Sequence, residues 1–200
     1  MAADIGRTEA YATDLLLHAM PAGLAYHDIG HTRDVVVAAS AELARIEGVS
    51  GPDLLELLTA AWFHDLGYVE TRDGHEAVSA RLAGDVLPGF GYAPDAVARI
   101  QRLILATRMP HAPADLGAMI LVDADLDTLG RADYPEWQDR LRAELAAFGQ
   151  EYAPRDWYRR QHEFLSGHRY FTAAQRTRRA QGLARNRRAL ALLLAQPDLG

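Results

Sequence analysis

Three observations predict an all-α fold, a single compact helical bundle. Apolar residues recur at three- and four-residue spacing along most of the chain. The breaks between these periodic stretches are short and built on Gly and Pro. Val-rich alternation of the kind a half-buried strand shows is missing, and Val35, Val36 and Val37 fall inside a helical period. Taken in order, the first helix is expected over 5–19, closed before Pro21, and the second over 31–47, stopped at the Gly48 to Pro52 joint. A third runs over 52–66 up to Gly67, a fourth over 74–87 up to Pro88, and a fifth over 94–108 before Pro110 and Pro113. Helices over 115–129, 134–149, 154–166 (opened by Pro154) and 172–195 complete the set.

The 200 residues suffice for one domain with a real core, and 49% hydrophobic with 24% charged residues is ordinary globular chemistry. One domain is expected over 1–200, with its centre in 20–130 and the helices of 134–195 packed on it. No apolar run reaches the ~20 residues that cross a bilayer. Residues 1–6 show no basic stretch leading into an apolar one, so a cytoplasmic location is expected. Cysteine is absent, which excludes disulfides and Cys-ligated zinc. The net charge of −6 is uneven: residues 1–150 hold 11 Arg against 23 Asp and Glu, and residues 151–200 hold 10 Arg against 4. Every cation is a guanidinium, the group shaped for bidentate phosphate contact.

Ionisable residues stand where a core should be. A buried carboxylate is heavily penalised unless it is paired or metal-bound. In 116–129, LGAMILVDADLDTL, a helical projection puts Asp125 on one stripe with Ala118, Leu121, Val122 and Leu129. Asp123 and Asp127 share the other side, so Asp125 is the one expected to face inward. In 54–67, LLELLTAAWFHDLG, Asp65 continues the stripe of Leu58 and Ala61, and His64 that of Leu57 and Ala61. Adjacent helical positions diverge by about 100°, yet both side chains can reach an ion lying between them. Gly67 then permits a turn. Near Gly30 a helix start turns His31 inward with Val35 and Ala38, and His27 joins that face only if the helix begins a turn earlier. Singly, an inward His is a hydrogen-bonded core residue and a buried Asp a helix cap. Together in an apolar bundle they predict a metal site.

The order His31, His64-Asp65, Asp125 resembles the H…HD…D signature of HD-superfamily phosphohydrolases. His31-Thr32-Arg33-Asp34-Val35 is similar to the family's H-x-x-x-V helix start, and the run from Ala60 through His64-Asp65 to Tyr68 to its HD helix. Asp123-Ala124-Asp125-Leu126 is similar to its A-D-x-L helix, in which the aspartate after Ala is the ligand. Tyr26-His27, Phe63-His64-Asp65, the stretch from Glu76 to Ala80, that from Asp123 to Gly130, and Ala184-Arg185-Asn186 further resemble a bacterial group of predicted HD phosphohydrolases whose substrate is undefined. Stringent-response alarmone hydrolases carry Glu-Asp shortly after HD. Tyr68-Val69 stand there instead, with Glu70 out of register. The GYP motif of cyclic-dinucleotide hydrolases is missing. Binuclear relatives add two histidines before the last aspartate, a role open here only to His75 and His111.

The resemblance implies one divalent ion on His31, His64, Asp65 and Asp125, with a second open to His75 and His111. Mixed N/O ligation suits Mn²⁺, Fe²⁺, Co²⁺, Ni²⁺, Zn²⁺ or Mg²⁺ and ranks none of them. It implies hydrolysis of a phosphoester or phosphoanhydride in a small phosphorylated substrate, by analogy a nucleotide, with Asp65 and Glu76 as the catalytic pair and His75 or Glu70 as other acid–base candidates. Arg33 and Arg108 are candidate phosphate clamps. The alternative is a nucleic-acid-binding or regulatory module with a structural metal, resting on Arg176, Arg178, Arg179, Arg185, Arg187 and Arg188 in the last helix. No membrane partner is expected.

Overall fold

The computed structural model describes residues 3–197, and every regular element among them is helical. These are α1 (Ile5–His18), a π-helical segment (Gly30–Val37) running directly into α2 (Ala38–Glu47), α3 (Gly51–Phe63), α4 (His75–Val86), α5 (Pro94–Leu105), α6 (Leu116–Asp125), α7 (Tyr134–Ala147), α8 (Pro154–Gly167) and α9 (Ala173–Leu194). Short 3₁₀ turns occupy Leu66–Val69, Leu87–Phe90 and Asp127–Gly130. Helix starts follow their local chemistry. Asp4 accepts the Arg7 N–H at 3.0 Å, Thr172 accepts the Gln175 N–H at 3.1 Å, and proline opens α3, α5, α7 and α8. No helix among the described residues is long and apolar enough to cross a membrane.

The described residues form two compact units, 3–22 with 27–125, and 23–26 with 126–197. In the first, α3 is the central element, packed by α1, α2, α5, α6 and the π-helical segment. Its Leu57, Ala60, Ala61 and Phe63 are fully buried, as are Ile100 and Ile104 of α5 and Ile120, Leu121 and Val122 of α6. Three helices end three or four residues earlier than their apolar patterns suggest, the fifth at Leu105 rather than 108. The third stops at Phe63 rather than 66, because Asp65 turns to φ −104°, ψ 0°. The sixth stops at Asp125 rather than 129, because Leu126 turns to φ −96°, ψ 16°. Both lie near the bridge region, where a chain leaves a helix without a glycine.

Part of the helical projection is overturned. Asp123 and Asp127 are buried whereas Asp125 is partly exposed, and past the early end of α6 Leu129 belongs to the core of the second unit with Tyr134, Leu165 and Leu190. Ala38, expected to face inward with His31 and Val35, is exposed, whereas Ala39 and Ser40 are buried. The wider π turn, bonded i to i+5, advances the inward stripe beyond the ordinary helical repeat.

In the second unit α9 packs on α8 and on the 127–130 turn. Asp127 anchors it, accepting Arg179 Nε and Nη2 at 2.7 and 2.8 Å and Gln175 Nε2 at 2.8 Å. Asn186 Nδ2 caps the carbonyls of Leu129 and Arg131 at 2.9 and 2.8 Å. Truncating Asp127 strands a largely buried guanidinium and a buried amide. We expect Asp127→Ala to cost about 3 kcal/mol, read as a lowered denaturant midpoint.

Candidate metal centre

All four candidate ligands lie in the first unit and come from three helical elements meeting at one point. His31 is the second residue of the π-helical segment, and its backbone N–H donates to Asp28 Oδ1 at 2.9 Å, which fixes the helix entry. His64 and Asp65 follow α3 directly, and Asp65 leaves the helical course so that both side chains aim the same way. Asp125 is the last residue of α6.

The ligand atoms close a ring of alternating nitrogen and oxygen. His31 Nε2 lies 3.0 Å from Asp125 Oδ1 and 3.5 Å from Asp65 Oδ2. His64 Nε2 lies 3.0 Å from Asp65 Oδ2 and 3.5 Å from Asp125 Oδ1. His31, His64 and Asp65 each offer a ligand atom within 4.8 Å of the others. Atoms bound to a common ion at about 2.1 Å stand roughly 3.0–3.4 Å apart, the spacing of those edges. Two further features fit an ion. His64 Nδ1 donates to the Ala61 carbonyl at 2.8 Å, which leaves Nε2 with its lone pair facing the ring. His64 Nε2 and Asp65 Oδ2 are buried without a hydrogen-bond partner. Such atoms are costly in a core unless something else satisfies them.

The electrostatics agree. Burial alone would depress the His64 pKa, but the Asp65 and Asp125 carboxylates outweigh it and hold the imidazole well above its usual value. Burial pushes Asp65 and Asp125 up, and the imidazoles overcome it and hold both below the carboxylate range. In the metal-free protein the raised His64 stabilises below about pH 6.5 and loses its contribution as pH climbs through its folded value. The lowered aspartates stabilise above about pH 4 and fail as pH falls further. The cluster therefore favours the metal-free fold most between about pH 4 and 6.5. An ion needs the neutral imidazole, so metal uptake at neutral pH should release protons and apparent affinity should rise from pH 6 to 8. Titration in weakly buffered solution measures both, and a pH-independent affinity would contradict this.

An aromatic wall borders the ring. The Tyr68 ring is sandwiched between His27 and His75, with centroids 4.5 and 4.1 Å away, and His27 stands edge-on to His31 at 5.7 Å. His75 Nδ1 donates to the Arg72 carbonyl at 3.0 Å, and its Nε2 lies 3.3 Å from Asp65 Oδ1. Burial opposes charging of His75, yet its bond to Asp65 raises its pKa. Glu76 is buried at the start of α4, its Oε2 3.9 Å from His75 Nδ1. This wall is held by Gly67, whose N–H donates to Ser79 Oγ at 2.8 Å. A Cβ there would strike the His75 carbonyl, so Gly67 is needed for close approach rather than for its own φ.

The remaining candidates are bonded elsewhere or exposed. His111 Nε2 donates to the Thr107 carbonyl at 3.0 Å. Glu70 pairs with Arg81 and is half exposed. Arg33 forks onto Asp34 with bonds of 2.7 and 2.9 Å, and Arg108 is exposed beyond α5. Sequence reasoning misses Tyr68 as a wall residue; its one signal is its place three residues after Asp65.

Residues 29–128, half of the chain, match the family model described as HD domain. The chain belongs to the HD-domain family. The HD domain places it in a superfamily of metal-dependent phosphohydrolases, and all four candidate ligands lie within the matched HD segment. No curated protein and no solved structure matches the chain.

Proposed function

We propose that this HD domain hydrolyses a phosphoester or phosphoanhydride in a small phosphorylated metabolite, with a nucleotide as the expected class. His31, His64, Asp65 and Asp125 would hold the divalent ion. The observation that carries the reading is the ring of two imidazoles and two carboxylates, buried at His31, His64 and Asp65 and partly open at Asp125, with His64 Nε2 and Asp65 Oδ2 lacking hydrogen-bond partners. A divalent ion bound there supplies Lewis-acid charge to a phosphoryl oxygen and lowers the pKa of water toward neutrality.

The chain's own residues do the rest. The Ala61 carbonyl fixes the His64 tautomer, and Asp28 fixes the entry of the helix carrying His31. Asp65 serves the ring through Oδ2 and faces His75 through Oδ1, which places His75 to exchange a proton beside the ring. Glu76, next to His75 and shielded from bulk water, is the proposed acid–base group. Glu76→Gln should lower kcat about 10²-fold with metal content unchanged, measured by steady-state rates alongside elemental analysis. Through His75 a second ion on Asp65 is open, but the Thr107 contact engages His111 elsewhere.

The nucleic-acid alternative gains little support from α9. Asp127 already faces Arg178 and Arg179, two of the six arginines on which that reading rests. The test is phosphate release by metal-reconstituted protein from a panel of nitrophenyl phosphates, nucleoside mono-, di- and triphosphates, cyclic nucleotides, dinucleoside polyphosphates and an alarmone. Metal-dependent turnover of a panel member is expected. Tight metal binding with no turnover on any of them would move the reading to a structural metal.

A further inference from the structure

A cavity of about 220 Å³ lies within the second unit, between the end of α8, the 168–172 connection and the middle of α9. Its apolar lining includes Leu165, Leu183 and Ala184, and its cations are Arg169, Arg176 and Arg187. No Asp or Glu lines it.

Some arginines of this chain pair with carboxylates, as Arg33 does with Asp34, Arg99 with Glu56, Arg131 with Asp133 and Arg179 with Asp127, and others, such as Arg7, Arg142 and Arg155, donate to carbonyls. Those of the cavity have no carboxylate partner among the described residues. Arg169 Nη1 donates to the carbonyls of Ser166 and His168 at 3.2 and 2.8 Å. Arg176 Nη1 donates to those of Tyr170 and Phe171 at 3.1 and 2.7 Å. Carbonyls position a guanidinium without neutralising it, and each group keeps its remaining N–H donors for another acceptor. Among the described residues Arg187 makes no hydrogen bond or ion pair with a side chain or carbonyl.

We propose that this cavity binds a small phosphomonoester, its phosphate among the three guanidinia and a short apolar body on Leu165, Leu183 and Ala184. Three uncompensated cations ask for more than one negative charge, which favours a phosphate dianion over a carboxylate, and planar guanidinium forks match its oxygens. The volume falls below the roughly 300–1,000 Å³ of a drug-sized pocket, so the body is about one ring in size. A nucleic acid strand would need a continuous basic stripe, and the neighbouring Arg178 and Arg179 are already faced by the Asp127 carboxylate. The site is distinct from the HD-domain metal centre and stands whether or not that centre is catalytic.

The test uses full-length protein stripped of metal by chelator, so that the HD centre cannot capture phosphate. Phenyl phosphate, inorganic phosphate, benzoate, a 20-nucleotide RNA and anionic phosphatidylglycerol vesicles are titrated against the arginine side-chain NMR signals. Phenyl phosphate should saturate at one site, about tenfold tighter than inorganic phosphate through the apolar lining, with benzoate weaker than both. Arg187→Gln should weaken it about tenfold with helicity unchanged, because this exposed side chain orders nothing else. Equal binding of phenyl phosphate by Arg187→Gln and wild type would overturn the proposal. So would phenyl phosphate binding no tighter than inorganic phosphate, or its displacement by RNA or vesicles bound more tightly at the same arginines.

Discussion

Asp65→Asn should reduce kcat by about 10³ and lower metal occupancy, while leaving the circular dichroism of the chain unchanged. The magnitude follows from the charge removed. Lewis-acid stabilisation at a phosphoryl group contributes several kcal/mol, and each 1.4 kcal/mol is a factor of ten in rate. Asparagine keeps the shape of the side chain and one oxygen but withdraws the anion from a ring whose edges are 3.0 and 3.5 Å. It also withdraws the acceptor that His75 Nε2 faces at 3.3 Å. The backbone should hold, because the 66–69 turn rests on main-chain bonds such as Tyr68 N–H to the Asp65 carbonyl at 3.1 Å, which the substitution does not touch. Steady-state kinetics with elemental analysis of the same samples measure both losses. An active, metal-replete Asp65→Asn would remove Asp65 from the site.

A large stability effect is expected at Gly67. An added Cβ meets the His75 carbonyl oxygen and lies 2.8 Å from the Ser79 nitrogen. Both are backbone atoms at the start of α4, so no flexible side chain can give way. The turn must lift off the helix and lose the Gly67 N–H bond to Ser79 Oγ. We expect Gly67→Ala to cost about 4 kcal/mol, which for a chain of this size lowers Tm by roughly 10 °C. Because His75 and Glu76 open the displaced helix, the protein that remains folded should also show reduced turnover with its metal retained. A Gly67→Ala protein melting within about 2 °C of wild type would mean that the turn is not docked as described.

The helix starts are legible in the sequence because their causes are local. Proline opens four of the helices and Asp4 and Thr172 cap two others. Helix ends are harder to read. Apolar periodicity continues through Asp65 and Leu129, but the backbone leaves the helix at Phe63 and Asp125, and a projection carried past such a point misplaces the residues beyond it. That is why Asp127 projects to an outer side and yet is buried, and why Leu129 joins a different core, whereas Asp123 is buried within α6 itself.

The candidate ring is legible because His31, His64, Asp65 and Asp125 all interrupt apolar helical faces, and the HD match covers all four residues. The aromatic wall is not. Tyr68 reaches between His27 and His75 only through the 3₁₀ turn at Leu66–Val69 and the close approach of Gly67 to α4. Neither leaves a periodic trace in the sequence. Arg33 shows a contact that the sequence pattern does not announce. Its place beside His31 suggests a phosphate clamp, yet it pairs with its own neighbour Asp34, a contact that helical spacing rules do not anticipate.

The central claim is that His31, His64, Asp65 and Asp125 hold one divalent ion. Anomalous diffraction from crystals grown with Mn²⁺ tests it most directly. A single strong peak within about 2.3 Å of His31 Nε2, His64 Nε2 and a carboxylate oxygen of both Asp65 and Asp125 is the predicted result. A peak held by other residues, or none at this ring in crystals soaked at saturating Mn²⁺, would contradict it.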